Sequence, residues 1–142
     1  LKRKTRVVGD AIILHKNQMH DALDVLRCVG GREIAAMAGA ILAARYQRVP
    51  VLLDGYVSCA AAATLAAIRS DALDHCMIGH VSAEPGHKHL IEKLGKQPLL
   101  DFGMRLGEGS GAALAIPLLR ASAECHNGMA TFAKAGVASR GA

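Results

Sequence analysis

A single carboxylate set among glycines is the first feature of this sequence that could do chemistry. In Gly103-Met-Arg-Leu-Gly-Glu-Gly-Ser-Gly111, Glu108 stands between two glycines, where a helix should begin. Glycines let backbone approach a ligand closely and turn N–H groups toward it. The pattern is neither GxxxxGK[ST] nor GxGxxG, so it is neither a Walker loop nor a dinucleotide fingerprint. Two readings stay open. Glu108 could serve only the helix dipole or a cap. Alternatively, partial apolar cover from Met104 and Leu106 would raise its pKa and suit it to act as a general base near neutral pH.

Other polar residues offer less. Ser82 and Glu84, in His80-Val-Ser-Ala-Glu-Pro-Gly-His87, could bind a ligand or simply make a turn. His80, His87 and His89 raise the question of a metal. The last two are two residues apart on an expected helix and point to different faces, so no metal site is predicted. No Ser/His/Asp or Cys/His arrangement is supported. Cys59 lies in an alanine-rich helix and reads as core. Cys28, Cys59, Cys76 and Cys125 form no CxxC pair, which fits a reduced, cytoplasmic protein.

Composition narrows the class. A chain of 142 residues can bury one compact core. An apolar fraction of 51% argues against disorder. Aromatics at 3% argue against the base-stacking surfaces of single-strand binders, so nucleic acid is not an expected partner. The net charge of +5 is front-loaded in Lys2, Arg3, Lys4 and Arg6, a solvated start or a phosphate contact. The apolar runs Ile34–Ala44 and Val57–Ile68 fall short of the ~20 residues that span a bilayer, so no membrane partner is expected. No signal-peptide pattern is visible, and the chain begins at Leu1 without Met.

The elements that must hold these residues follow from periodicity. Helices are expected over Thr5–Lys16, Asp21–Val29 (capped by Asp21), Gly31–Arg48, Tyr56–Arg69 and His87–Leu94. A last helix should run from the Gly103–Gly111 loop to about Ala135, with Pro117 inside it and Asn127-Gly128 as a second weak point. In the third helix Ile34, Met37, Ile41 and Leu42 make an apolar stripe. Ala36, Gly39, Ala40 and Ala43 make a small-residue face suited to close packing. The short apolar runs Val49–Gly55, His75–His80 and Pro98–Asp101 read as buried parallel strands. Alternation of strand and helix predicts an α/β domain with a mainly parallel sheet. Each strand ends in a polar, glycine-containing loop, and in such sheets these loops gather at the carboxyl edge, where ligands bind.

Taken together, LRCVGGREIAAMAGAILAA, VPVLLDGYVSCAAA, GHVSAEPGH, LLDFGMRLGEGSGAALAIPLL and MATFAKAGV resemble the nicotinate-nucleotide:dimethylbenzimidazole phosphoribosyltransferase family. The resemblance runs from about Lys2 to Val137. It covers only the carboxyl-terminal part of a family protein. The remainder should carry a Glu-Met-Gly-Ile-Gly-Asn phosphate loop and much of the benzimidazole pocket, so these residues are expected to be inactive alone. The resemblance implies a Rossmann-like three-layer αβα fold, incomplete here. Residues 1–122 would belong to the large domain, and residues 123–142 would form a C-terminal helix contributing to a small helical one. It implies transfer of phosphoribose from nicotinate mononucleotide to dimethylbenzimidazole with inversion at the anomeric carbon, no metal or other cofactor, and a homodimer. By the same resemblance Glu108 takes the proton from the benzimidazole nitrogen. Lys4, Gly55, Ser82, Leu106 and Gly107 fall on positions that line the nucleotide site.

Two other classes compete with this enzyme reading. One is a non-catalytic module that binds a nucleotide or base. The other is a degenerate remnant whose open sheet edge drives self-association.

Overall fold

The computed structural model describes residues 2–137. Its elements are α1 (Lys2–His15), α2 (Ala22–Val25), α3 (Gly31–Tyr46), β1 (Val51–Leu53), α4 (Tyr56–Ile68), β2 (Cys76–His80), α5 (Pro85–Leu94), β3 (Pro98–Leu100) and α6 (Ser110–Gly128). A tight 3-10 turn, Lys16–Gln18, ends α1, and a wider π turn, Leu26–Gly30, joins α2 to α3. Asp21 caps α2 as expected, its carboxylate accepting the Asp24 N–H at 2.8 Å. The wide turn after Val25 was not foreseen; it hands the chain to α3 at Gly31, whose φ of 73° suits glycine.

The three strands are parallel and lie in the order β1-β2-β3. Val51 pairs with Cys76 and Leu53 with Ile78, while Ile78 and His80 pair with Pro98 and Leu100. This is the mixed α/β class that the alternation of elements predicted. β1 is shorter than expected because Val49 serves the helix before it: its N–H bonds back to Ala44 at 2.9 Å, with Arg48 in the left-handed region. Pro50, without an N–H, cannot extend the ladder.

Small side chains set the packing. α4 packs against both α3 and α5, and α6 lies over the sheet with most of its strand contacts to β2. A Cβ at Gly79 would meet the Ala112 Cα at 3.0 Å, so α6 lies nearly on the strand backbone. Leu53, Cys59, Ala61, Ala62 and Ile78 are fully buried at the centre of the core. Nothing among the described residues covers the expected small-residue face of α3. Ala36, Gly39, Ala40 and Ala43 are exposed, and the helix buries Ala38 and Ile41 instead. Leu42, assigned to the apolar stripe, is 40% exposed.

The last helix is the clearest difference. It ends at Gly128, not near Ala135, and residues 132–136 fold into turns held by Ala135 N–H to Thr131 and Val137 N–H to Phe132. Asn127-Gly128 therefore acts as a stop, with Met129 extended after it. Residues 138–142 of the expected terminal helix lie outside the described residues. Pro117 sits inside α6, where its missing N–H leaves the Ala113 carbonyl without its helical donor. Among the described residues no helix is long and apolar enough to cross a membrane.

Candidate active site

The loops leaving the carboxyl ends of the strands meet in one cleft of about 670 Å³. Lys4, Gly55, Ser82, Gly107 and Glu108 all line it. They come from α1, the β1–α4 turn, the β2–α5 loop and the loop before α6, so only the fold brings them together. Leu106 is not part of the lining and is 82% exposed. That exposure corrects one expectation. The apolar cover foreseen over Glu108 does not form, because Leu106 turns to solvent and Glu108 is itself exposed.

The backbone at Glu108 is unusual. Gly107, Glu108 and Gly109 have φ values of 86°, 58° and 77°, three successive residues in the left-handed region. Glycine adopts this at little cost, but a residue with a Cβ is held there against a penalty of roughly 1–2 kcal/mol. Flanking glycines permit the turn, and the Ser110 N–H to Gly107 and Ala113 N–H to Gly109 bonds, 3.1 and 2.8 Å, close it into the helix start. Such a conformation is a recurrent mark of a site.

The floor of the cleft uses residues that sequence reasoning did not single out as site residues. Asp54 Oδ1 accepts the Ala112 N–H at 2.8 Å, so the end of β1 caps the first turn of α6. His80 Nε2 lies 3.9 Å from the same oxygen, its ring buried and its Nδ1 without a protein partner. The ring fills the space beside Gly111, where a Cβ would lie 1.9 Å from His80 Cδ2. Tyr56 leans over Gly86, and Arg105 pairs with Glu84 at 3.3 Å across the rim. Asp54-Gly55-Tyr56 was visible as a strand-end loop, but the long-range cap on Ala112 carries no local signal.

Ser82 is held from behind. Its N–H donates to His87 Nδ1 at 2.9 Å, and its hydroxyl oxygen accepts the Glu84 N–H at 3.3 Å. His87 is fully buried, whereas the His89 side chain is 74% exposed, so the two do point to different faces. His87 Nε2 lies 3.3 Å from Cys59 Sγ. Burial holds the His87 pKa below its ordinary value, helped by nearby His80 and opposed by Asp54. Burial likewise pushes the Cys59 thiol up to about 12. Cys59 is core, as its alanine-rich setting predicted, and its thiol is no nucleophile.

Glycine-containing loops at the carboxyl ends of parallel strands, enclosing a cleft lined by polar and acidic side chains, form a candidate ligand site of the kind α/β proteins carry at this edge. Comparison with known proteins makes this specific. A phosphoribosyltransferase family model matches residues 1–137. The chain is 64% identical over 140 residues to the nicotinate-nucleotide–dimethylbenzimidazole phosphoribosyltransferase of Sinorhizobium medicae, covering 99% of this chain and 41% of that protein. The Brucella canis protein of the same name is 62% identical over 137 residues, covering 96% and 40%. A crystal structure of the Thermus thermophilus enzyme superposes with a TM-score of 0.79 at 46% identity, over 87% of this chain and 37% of that one. The chain belongs to the nicotinate-nucleotide:dimethylbenzimidazole phosphoribosyltransferase family. It spans about two fifths of the length of the curated relatives it matches.

Proposed function

We propose that the protein carrying this chain transfers phosphoribose from nicotinate mononucleotide to dimethylbenzimidazole, a step in making the lower ligand of cobalamin. The convergence of Lys4, Gly55, Ser82, Gly107 and Glu108 on one cleft supports this most directly, because residues from four separate segments, all implied by the family resemblance, line it together. The benzimidazole nitrogen attacks the anomeric carbon, the bond from that carbon to nicotinate breaks, and nicotinate leaves with the electron pair. Glu108 accepts the benzimidazole N–H proton, which makes the nitrogen a better nucleophile. An aromatic base seated in the cleft would itself supply the apolar cover that the exposed carboxylate lacks. Lys4 complements the phosphate charge.

The same reading takes residues 1–122 as part of the large domain and residues 123–142 as part of a small helical one. It takes the protein as a cytoplasmic homodimer. The test is stoichiometric. Incubating the full-length protein with both substrates should release one nicotinate per α-ribazole phosphate formed. Binding of nicotinate mononucleotide and dimethylbenzimidazole with no product released would favour the binding-module reading instead.

A further inference from the structure

The face of the cleft that carries Ser82 is backed by a buried polar chain running from α4 through α5 to the β2–α5 loop. A backbone N–H can only donate, so the Ser82 N–H, 2.9 Å away, makes His87 Nδ1 an acceptor. A neutral ring then carries its proton on Nε2, and that N–H faces Cys59 Sγ at 3.3 Å. Cys59 and His87 are both fully buried, so water does not compete for either bond. Each ring nitrogen thus has one partner, and the arrangement works with only one tautomer.

The consequence lies at Ser82. Its hydroxyl oxygen already accepts the Glu84 N–H, which leaves the O–H proton to be donated to a ligand in the cleft. Rotation of this loop would carry the hydroxyl away, and the His87 bond to the Ser82 backbone opposes that rotation. We propose that His87, with Cys59 as the partner of its Nε2–H, is the positioning residue that holds Ser82 against the nucleotide. This rests on the reading of the cleft as a nucleotide site. His87 does not touch the cleft itself, and it sits on α5, whereas Glu108 is carried by the loop before α6. Its removal should therefore weaken substrate binding more than the chemical step.

The groups around the ring are accounted for. Tyr56 from α4 lies edge-on at 6.3 Å and His80 from β2 at 6.4 Å, and Asp54 is the nearby carboxylate. None of them takes a His87 ring nitrogen.

The test compares three variants in the full-length protein. His87→Phe keeps an aromatic ring but removes the acceptor, and it should raise the KM for nicotinate mononucleotide about tenfold while kcat stays within about twofold. His87→Asn places an amide oxygen near the Nδ1 position and should restore most of the binding. Cys59→Ala, which removes the partner of Nε2–H, should have a smaller effect in the same direction. Nitrogen-15 resonances of His87 in the unaltered protein should show Nε2 protonated and Nδ1 bare. The Ser82 amide should exchange with solvent at least about tenfold faster in His87→Phe and near normally in His87→Asn. An unchanged KM in folded His87→Phe, a fall in kcat alone, or a proton on Nδ1 would overturn the proposal. Should His87→Phe fail to fold, the tautomer and Cys59→Ala decide it. Absence of turnover by the unaltered protein would instead sink the proposed reaction, and the exchange of the Ser82 amide would still judge the role of His87.

Discussion

The carboxylate of Asp54, at the end of β1, accepts the backbone N–H of Ala112, in the first turn of α6, at 2.8 Å. Fifty-eight residues separate the two in sequence. The bond joins the first strand of the sheet to the helix whose leading loop carries Glu108. It also places a negative charge at the positive end of a 19-residue helix, where the dipole favours it. The position of the candidate base is thus tied to the end of β1.

Asp54→Ala should therefore cost more than a surface substitution. Removing a helix cap typically costs about 1 kcal/mol and up to about 2 kcal/mol. Asp54→Asn retains an acceptor and should recover most of that loss. Urea unfolding of the two variants measures the difference, and equal midpoints for Ala and wild type would show that the cap carries no weight.

Gly111→Ala tests the neighbouring contact. Its Cβ would fall on the His80 ring, which is buried. Overpacking of this kind costs about 1–3 kcal/mol. The melting temperature should drop, and the truncation His80→Ala should relieve part of the strain in the double variant. Additive losses would mean that the two side chains do not meet.

Much of this architecture was legible beforehand, and the reasons are physical. Buried parallel strands appear as short apolar runs, so Val49–Gly55, His75–His80 and Pro98–Asp101 marked the three strands, though the runs overreach the observed bounds and β3 leaves Leu99 exposed. Their following loops meet because parallel topology puts all strand ends on one edge, and this placed Gly55, Ser82 and Glu108 together without any contact information. The misses share a different cause. Asp54 to Ala112, His80 to Gly111 and Cys59 to His87 are side-chain relationships between elements, and no local periodicity encodes them. The cover over Glu108 failed for a related reason: nearness in sequence says little about which way Leu106 turns in a loop of left-handed residues. Helix α6 was overextended because alanine-rich periodicity outweighed Asn127-Gly128, and the stop signal was the stronger one.

Acid should loosen the protein through His87. Its native pKa lies below the ordinary 6.5, so the unfolded chain binds the proton more readily. Stability from the neutral ring is fully present above about pH 6.5 and is lost as pH falls below it toward the depressed native value. A shallower decline between pH 6.5 and pH 5 in His87→Phe than in the unaltered protein, followed by thermal melting, is the expected outcome. Parallel declines would assign the acid sensitivity elsewhere.

If Glu108 takes the proton from the attacking base, removing its basic oxygen should slow turnover without loosening substrate. The rate of α-ribazole phosphate formation is compared between the full-length protein and its Glu108→Gln variant, which keeps the side-chain shape and removes the basic oxygen. Loss of a general base should lower kcat about 10²- to 10⁴-fold, with nicotinate mononucleotide still bound and the fold unchanged by circular dichroism. Turnover by Glu108→Gln at the rate of the unaltered protein would show that Glu108 is not the base.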